Sequence, residues 1–390
     1  MKNVETVTIL STLRGLGYSS IWIYSALYLR TNLGLSILQD GLIITAGSAV
    51  AAGLQIYAGI LADRFGYKRF VVLSMAISAI LFAVLVSSPT IRQSPLLYPI
   101  VFVGLMISNA SQAPAANAIV SESSAVKLRG FSILRIGNNI GWGIGPAIGG
   151  FLIFGGDFFY LFLFGLVTAS AGFLLSLTLK EVSSTGTRSV ELNAANRMLI
   201  VLSFVALLLF IVQAQETITL SNYAKIIRHL NFNEIGLIYL TNGIVVIAAQ
   251  GLVYKISRKI GNYLSFIIGG ILYSFGFFLY AFFSALPGFI FATVILTMGE
   301  NFAFPAGYAM VSLVSKPENI GRNMGTYNAF ISAGRAIGPL IGGAVLSFTT
   351  NSYELWGLTT VWGFISVMVF MAAFWKKSHV ADQFPETATH

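Results

Sequence analysis

The stretch GILADRFGYKR, from Gly59 to Arg69, separates two long apolar runs and decides the fold class. It places four charged residues and two glycines within eleven positions of a chain that is otherwise poor in charge. Gly66 can adopt a positive φ, which favours a sharp turn between two helices. Lysine and arginine collect in the cytoplasmic loops of membrane proteins. The stretch therefore predicts a short cytoplasmic turn between two membrane-crossing helices.

The composition of the whole chain is that of a membrane protein. Of the 390 residues, 56% are hydrophobic and only 9% are charged, whereas a soluble domain carries roughly 25% charged residues. The net charge of +9 is spread over short loops, which favours positive loops beside a bilayer over a nucleic-acid-binding surface. The chain has no cysteine, so it forms no disulfide. A lipid bilayer is therefore expected as a partner, and nucleic acid is not.

The apolar runs divide the chain into twelve segments that are each long enough to cross a membrane as a helix. They lie near residues 8–30, 40–62, 70–89, 96–120, 130–154, 158–179, 198–222, 234–256, 263–284, 288–314, 324–348 and 354–375. One long polar linker, residues 181–197, separates an N-terminal bundle, 1–180, from a C-terminal bundle, 198–390. The motif GPAIGG at 145–150 recurs as GPLIGG at 338–343. The sequence thus predicts an all-α membrane protein with two pseudo-symmetric halves of six helices.

The distribution of basic residues sets the orientation. With the N-terminus inside, sixteen of the 23 lysine and arginine residues fall in inside loops and tails, and four fall in outside loops. Basic residues near helix ends determine which side stays in the cytoplasm. We therefore predict a multi-pass protein of the plasma membrane with both termini in the cytoplasm.

The opening stretch resembles the first-half loop signature of the major facilitator superfamily. The matching positions are Gly59, Leu61, Ala62, Asp63, Arg64, Gly66, Lys68 and Arg69. The resemblance implies a secondary transporter, and not an enzyme, whose loop acts as a cytoplasmic latch. By resemblance, Asp63 meets the start of segment 11 and Arg129. Alternatively, the loop determines only the membrane topology and the turn between the two helices. The second repeat has Arg258 at the position of Asp63, so the resemblance does not extend the latch to the second half.

Segment 5 carries the pattern GWGIGPAIGG, which resembles the motif of drug:proton antiporters in the same superfamily. Glycines at four-residue spacing form a flat helix face, and proline removes a backbone donor and can kink the helix. The repeat in segment 11 contains Gly338 and Pro339. The pattern predicts either a pivot of an antiporter or helix packing alone, and its residues are Gly141, Gly145, Pro146, Gly149 and Gly150.

Three charged residues inside the predicted bilayer are candidates for coupling. A charge there is costly and usually functional. Glu300, in MGENFAFP, resembles the G-E-x-x-x-x-P signature of segment 10 in a drug-exporter-like branch, and it either carries a proton or serves as a fixed partner of an arginine. Arg335 either pairs with Glu300 or binds an anionic substrate. Glu216 either lines the cavity or faces water.

Other polar residues are assigned to the cavity or to the membrane surface. Arg14 is expected to extend towards the cytoplasmic face, and Asp40 and Asp157 are expected to be solvated at outer helix ends. Segment 4 lacks the arginine that is usual in proton-coupled exporters of the superfamily. The predicted cavity residues are Gln112, Asn138, Asn139, Gln215, Asn301 and Tyr24.

The most favoured function is proton-coupled efflux of small amphipathic or drug-like molecules. The alternative is an uptake symporter or uniporter for a small polar metabolite such as a sugar or an organic anion, held by Arg335 or Arg135. The sequence contains no phosphate-binding loop, metal-ligand pattern or nucleophile motif. We therefore expect no metal and no cofactor, with a proton gradient as the energy source. We also expect a small-molecule substrate and a monomeric protein.

Overall fold

The computed structural model of the chain describes residues 2–124, 127–182, 197–315 and 320–374. These residues are almost entirely helical, and they include no strand beyond the isolated bridge of Phe154 with Asp157. The first six long helices are α1 (Lys2–Thr31), α2 (Ile37–Phe65), α3 (Tyr67–Ser87), α4 (Leu97–Ser123), α5 (Lys127–Leu152) and α6 (Phe159–Ser176). A short helix, Pro89–Arg92, precedes α4.

The later helices are less regular. Helix α7 (Arg197–Gln213) continues through three short helical pieces, Ala214–Glu216, Thr219–Asn222 and Tyr223–Ile227. The stretch Phe232–Leu279 is interrupted at Gly261, so its two parts are treated as α8 (232–260) and α9 (262–279). The remaining helices are α10 (Leu286–Leu313), α11 (Ile320–Phe348) and α12 (Ser352–Phe374). This order is consistent with the twelve predicted segments, and eight helical stretches of the described residues are long and apolar enough to cross a membrane.

Two glycines mark equivalent junctions in the two repeats. Gly66, between α2 and α3, has φ 94°, and Gly261, between α8 and α9, has φ 79°. A residue with a side chain rarely adopts these angles, so glycine is required where the chain reverses. A side chain at position 66 would also collide with the carboxylate of Glu181. The positive φ expected at Gly66 from the sequence is therefore present.

The chain divides into two compact units, Met1–Ser189 with Glu216–Gly243, and Val190–Gln215 with Ile244–His390. In the first unit α1 packs against α5 and α6, and in the second unit α7 packs against α11 and α12. Corresponding helices therefore make corresponding contacts, as the sequence repeat predicts. The predicted boundary lies in the linker 181–197, of which 183–196 are outside the described residues, so that boundary stays a prediction.

Many large apolar side chains are exposed on the surface of the protein. Ile80 is 61% exposed, Leu174 is 63% exposed and Ile247 is 67% exposed. Soluble monomers rarely expose apolar patches of large size, whereas lipid solvates such side chains without cost. The arrangement is that of a multi-pass membrane protein.

Candidate functional site

The glycine face of α5 lies directly against the backbone of α1. A Cβ atom added at Gly141 would lie 2.8 Å from the Thr12 carbonyl oxygen, and one added at Gly145 would lie 2.8 Å from the Leu16 carbonyl oxygen. One turn further, a Cβ at Gly149 would lie 3.0 Å from the Ser20 carbonyl oxygen. At Gly141 and Gly145 helix α5 therefore approaches α1 more closely than a Cβ atom permits, and at Gly149 the space for one is tight.

The opposite face of α5 contacts the start of α8. A Cβ at Gly143 would lie 3.3 Å from the Cα of Gly243, and one at Gly150 would lie 3.0 Å from the Cα of Gly236. Pro146, inside α5, is buried. The motif residues of segment 5 thus lie at two backbone contacts, and their role as a pivot stays a prediction.

Tyr24 was predicted to line a cavity, but its side chain is fully buried. Its hydroxyl donates to the Pro146 carbonyl at 3.0 Å and lies 3.5 Å from the Phe232 carbonyl. Tyr24 therefore connects α1, α5 and the start of α8, and it does not face an open space in this structure.

The second glycine motif packs against α7 in the same manner. A Cβ at Gly338 would lie 2.8 Å from the Ile211 carbonyl oxygen. Gln215, predicted to line the cavity, is buried, and its amide donates to the carbonyls of Ile211 at 2.8 Å and Gly338 at 3.1 Å. Pro339 is buried within α11. Gln215 therefore holds α7 and α11 together.

Arg335 is exposed on α11, and neutral groups hold its guanidinium. Its Nε donates to the Gln213 side chain at 3.1 Å, and its guanidinium carbon lies 4.8 Å from the centre of the Phe210 ring. Whether Arg335 pairs with Glu300 or binds an anionic substrate stays a prediction. Glu300 lies half-buried on α10 and makes contacts of its own.

Asn301 and Glu216, two further predicted site residues, each contact α8. Asn301 is buried, with its amide 3.5 Å and 3.4 Å from the carbonyls of Val245 and Val246. Glu216 is half-buried in the short helix after α7, and its backbone carbonyl accepts the Tyr239 hydroxyl at 2.5 Å. The roles of Glu216, Glu300 and Arg335 in coupling stay predictions.

Arg14 does not extend towards the membrane surface, and the expectation that it would is wrong. Its Nη1 donates to the Asn109 carbonyl on α4 at 2.9 Å, and its Nη2 donates to the Asn138 side chain on α5 at 3.3 Å. It also borders a cavity of about 20 Å³ together with Ser78, Asn109 and Thr168. That volume is enough for one water molecule. Of the predicted cavity residues, Asn138 thus joins this cluster, Gln112 is buried and Asn139 is exposed.

A sequence signal for this cluster existed and was missed. Arg14, Tyr18 and Trp22 are spaced four residues apart, so they share one face of α1. Asn138 and Trp142 have the same spacing on α5. Helical spacing shows which residues share a face, but it does not show which face of α1 meets which face of α5.

The two acidic residues expected at solvated helix ends behave differently. Asp157 is exposed, and its carboxylate accepts the Phe159 backbone N–H at 2.9 Å. Asp40 is fully buried in the first turn of α2, and neither carboxylate oxygen has a hydrogen-bond partner among the described residues. The expectation that Asp40 is solvated is therefore wrong, because its side chain lies on the buried face of α2 although its neighbours Leu38 and Gln39 are exposed.

Only part of the predicted latch lies within the described residues. Arg64 and Arg69 are exposed and Lys68 is half-buried at the junction of α2 and α3. The side chains of Asp63 and Arg129, and the surroundings of Gly59, lie outside the described part of the structure. The latch therefore stays a prediction from sequence.

Long apolar helices, a sequence repeat that recurs in the packing, and glycine-mediated helix contacts define a multi-pass helical membrane protein with a duplicated architecture. The sequence profile of the Major Facilitator Superfamily matches residues 7–212 and again residues 205–389. The chain belongs to this superfamily of transporters, which are not enzymes.

Relatives and solved structures agree with this assignment. The chain is 25% identical over 341 residues to the uncharacterized MFS-type transporter YttB of Bacillus subtilis (strain 168), and the match covers 85% of each chain. It is 29% identical over 214 residues, half of each chain, to a Na(+), Li(+), K(+)/H(+) antiporter of Planococcus maritimus. The crystal structure of the nucleoside transporter NupG superposes with a TM-score of 0.77 at 16% identity, covering 99% of this chain and 100% of that chain. This last likeness shows the fold alone.

Proposed function

We propose that this chain is a secondary active transporter that works by alternating access and exports small amphipathic molecules in exchange for protons. The observation that carries the proposal is the backbone contact of α5 with α1 through Gly141, Gly145 and Gly149. A proline within a helix permits bending, and a close-packed helix that bends can serve as a hinge of a conformational change. These residues are also those that resemble the antiporter motif. Under this proposal α5 is a pivot of the conformational cycle.

Two further observations support exchange of an amphipathic substrate for protons. The relative from Planococcus maritimus that matches half of this chain is named as an antiporter that exchanges cations for protons. On the N-terminal side, the rings of Tyr18 and Trp22 stack at 5.7 Å, and the ring of Trp142 meets Tyr18 edge-on at 6.0 Å. Aromatic surfaces of this kind suit flat or partly apolar ligands.

Glu300 is the group that we propose as the proton carrier, with Glu216 as the second candidate. Glu300 is half-buried within α10, which is one of the helices long and apolar enough to cross a membrane. An ionised carboxyl group inside a bilayer costs about 2.5–3.5 kcal/mol on insertion scales. A carboxyl group that gains and loses a proton during the cycle avoids that cost in one of the two states. The proton gradient is then the energy source, and the protein works in the plasma membrane as a monomer with both termini in the cytoplasm.

The experiment uses purified protein in liposomes with a pH-sensitive dye trapped inside. An amphipathic substrate added outside is expected to trigger proton movement in the wild type, and Glu300→Gln is expected to abolish that movement. Glu5→Gln, which makes the same change at an exposed position at the start of α1, is the control and is expected to behave as wild type. Full substrate-triggered proton movement in Glu300→Gln would remove Glu300 from the mechanism.

A second candidate function is uptake of a small polar metabolite such as a sugar or an organic anion. The exposed Arg335, whose guanidinium contacts Gln213 and the Phe210 ring, favours it. The same liposomes separate the two functions. Proton movement triggered only by sugars or organic acids supports uptake, and movement triggered by amphipathic compounds supports efflux.

A further inference from the structure

Arg14 is a cation inside the N-terminal bundle whose contacts in the structure are all neutral. Its two terminal nitrogens donate to the Asn109 carbonyl and to the Asn138 side chain. Its Nε is buried and has no hydrogen-bond partner among the described residues. Among the described residues, no carboxylate lies within ion-pair distance of Arg14. A charge in a low-dielectric setting is normally paired, so this guanidinium is short of one anionic partner.

Aromatic rings continue the face of α1 that carries Arg14. Tyr18 lies one turn further along and Trp22 lies two turns further, and their rings stack at an interplanar angle of 25°. Trp22 stacks in turn on Phe102 of α4, with ring centres 6.2 Å apart. The rings form a continuous aromatic wall that begins one helical turn from the guanidinium.

Helix α5 completes the same surface from the other side. Asn138 contacts Arg14, and Trp142, one turn further along α5, contacts Tyr18. Trp142 is 41% exposed, so the aromatic wall is open on one side. All of these residues belong to the first compact unit, so the contacts among them lie within that unit.

We propose that this surface, formed by Arg14, Tyr18, Trp22, Asn138 and Trp142, binds the substrate and selects amphipathic organic anions. The cavity beside Arg14 holds about one water molecule in this structure, so the anionic group reaches the guanidinium when the bundle opens during the transport cycle, and the aromatic or apolar body of the ligand packs on the rings. A cationic amphipath fits the rings equally well, but Arg14 repels its charge. The inference rests on the proposed transport of amphipathic molecules and specifies the charge of the substrate.

The test compares two probes that share a phenylpropyl body and differ in charge, a phenylpropyl sulfonate and a phenylpropyl trimethylammonium. Neither probe exchanges protons near neutral pH, so neither disturbs a trapped pH dye by itself. Binding to the purified full-length protein is measured by calorimetry, and proton movement is measured in liposomes. The wild type is expected to bind the sulfonate at least about tenfold more tightly than the ammonium, which is the effect of one charge-assisted hydrogen bond.

Arg14→Gln is expected to weaken sulfonate binding about tenfold and to change ammonium binding less than about twofold. Arg14→Lys keeps the charge and is expected to retain part of the preference. Arg30→Gln, at the far end of α1, is the matched control, because Arg30 also contacts a backbone carbonyl, that of Leu35. It is expected to leave the preference unchanged.

Three outcomes overturn the inference: equal binding of both probes by the wild type, tighter binding of the ammonium, or an equal loss of both probes in Arg14→Gln. The last outcome would assign Arg14 a purely structural role. Failure of the proposed function is recognised separately. Arg14-dependent sulfonate binding without proton movement would support the anion site and reject proton coupling. Proton movement without a preference for the sulfonate would support proton coupling and reject the anion site.

Discussion

At the scale of single residues, a buried polar side chain without a hydrogen-bond partner is one that packing alone does not explain. Asp40 shows this most clearly, because its side chain is fully buried and both carboxylate oxygens lack a hydrogen-bond partner among the described residues. A buried, unsatisfied polar group destabilises a protein by about 1–3 kcal/mol, and more when it is charged.

We therefore expect Asp40→Asn to raise the thermal unfolding midpoint of the protein in detergent, because the substitution removes a buried group that can ionise and keeps its size. The effect on stability is expected to be about 1 kcal/mol or more. Asp157→Asn is the control, because this exposed side chain keeps an oxygen acceptor for the Phe159 N–H, and its midpoint is expected to stay unchanged. A lower midpoint for Asp40→Asn would show that the carboxyl group has a stabilising partner.

At the scale of helices, the contact between α1 and α5 depends on the absence of side chains. Gly141, Gly145 and Gly149 allow the two backbones to meet, and hydroxyl groups of α1 add hydrogen bonds across the contact. Thr12 donates to the Gly137 carbonyl at 3.0 Å, and Ser19 donates to the Gly141 carbonyl at 3.1 Å. In membranes, such close packing and interhelical hydrogen bonds replace the hydrophobic effect as the source of helix association.

Gly145→Ala is expected to destabilise the protein by about 1–3 kcal/mol, the usual effect of overpacking. Its Cβ would lie 2.8 Å from the Leu16 carbonyl oxygen, so backbone atoms have to move. Gly53→Ala is the matched control, because no atom lies within 4 Å of a Cβ at that exposed position of α2. The measurement is the thermal unfolding midpoint of each variant, which is expected to be lower for Gly145→Ala than for Gly53→Ala. Equal midpoints would show that the α1–α5 contact adapts to a methyl group.

At the scale of the whole molecule, the two repeats share their architecture and differ in charge. Both have a positive-φ glycine at the junction of their second and third helices, Gly66 and Gly261. Asp63 precedes the first junction, whereas Arg258 stands at the corresponding position of the second, with its guanidinium carbon 6.0 Å from the Tyr254 ring centre. A carboxylate latch is therefore possible at the first junction and not at the equivalent point of the second.

If the latch exists, Asp63→Asn removes the charge that stabilises one of the two states of the cycle. Coupling free energies of this kind are about 1–3 kcal/mol, so transport is expected to fall by about fivefold or more, with normal membrane insertion. Substrate flux in liposomes, normalised to the amount of inserted protein, measures the effect. Wild-type flux would support the alternative that the loop sets only topology and turn.

The sequence by itself determined the features that depend on local chemistry. Twenty-residue apolar runs specify membrane helices in any surroundings, a positive φ at Gly66 follows from the reversal between two helices, and the GPAIGG repeat implies equivalent helix contacts. Membership of the superfamily is also determined by the sequence, whose two halves both match the superfamily profile.

Only the tertiary structure decided which groups meet across helices. Arg14 contacts Asn138 and Asn109, Arg335 contacts Gln213, Tyr24 is buried between helices, and Asp40 is buried. Helical periodicity fixes which side chains share a face, but the rotation and depth of each helix against its neighbours arise from the packing of the whole bundle. For that reason the helices could be predicted from the sequence, and the anion-binding surface proposed at Arg14 could not.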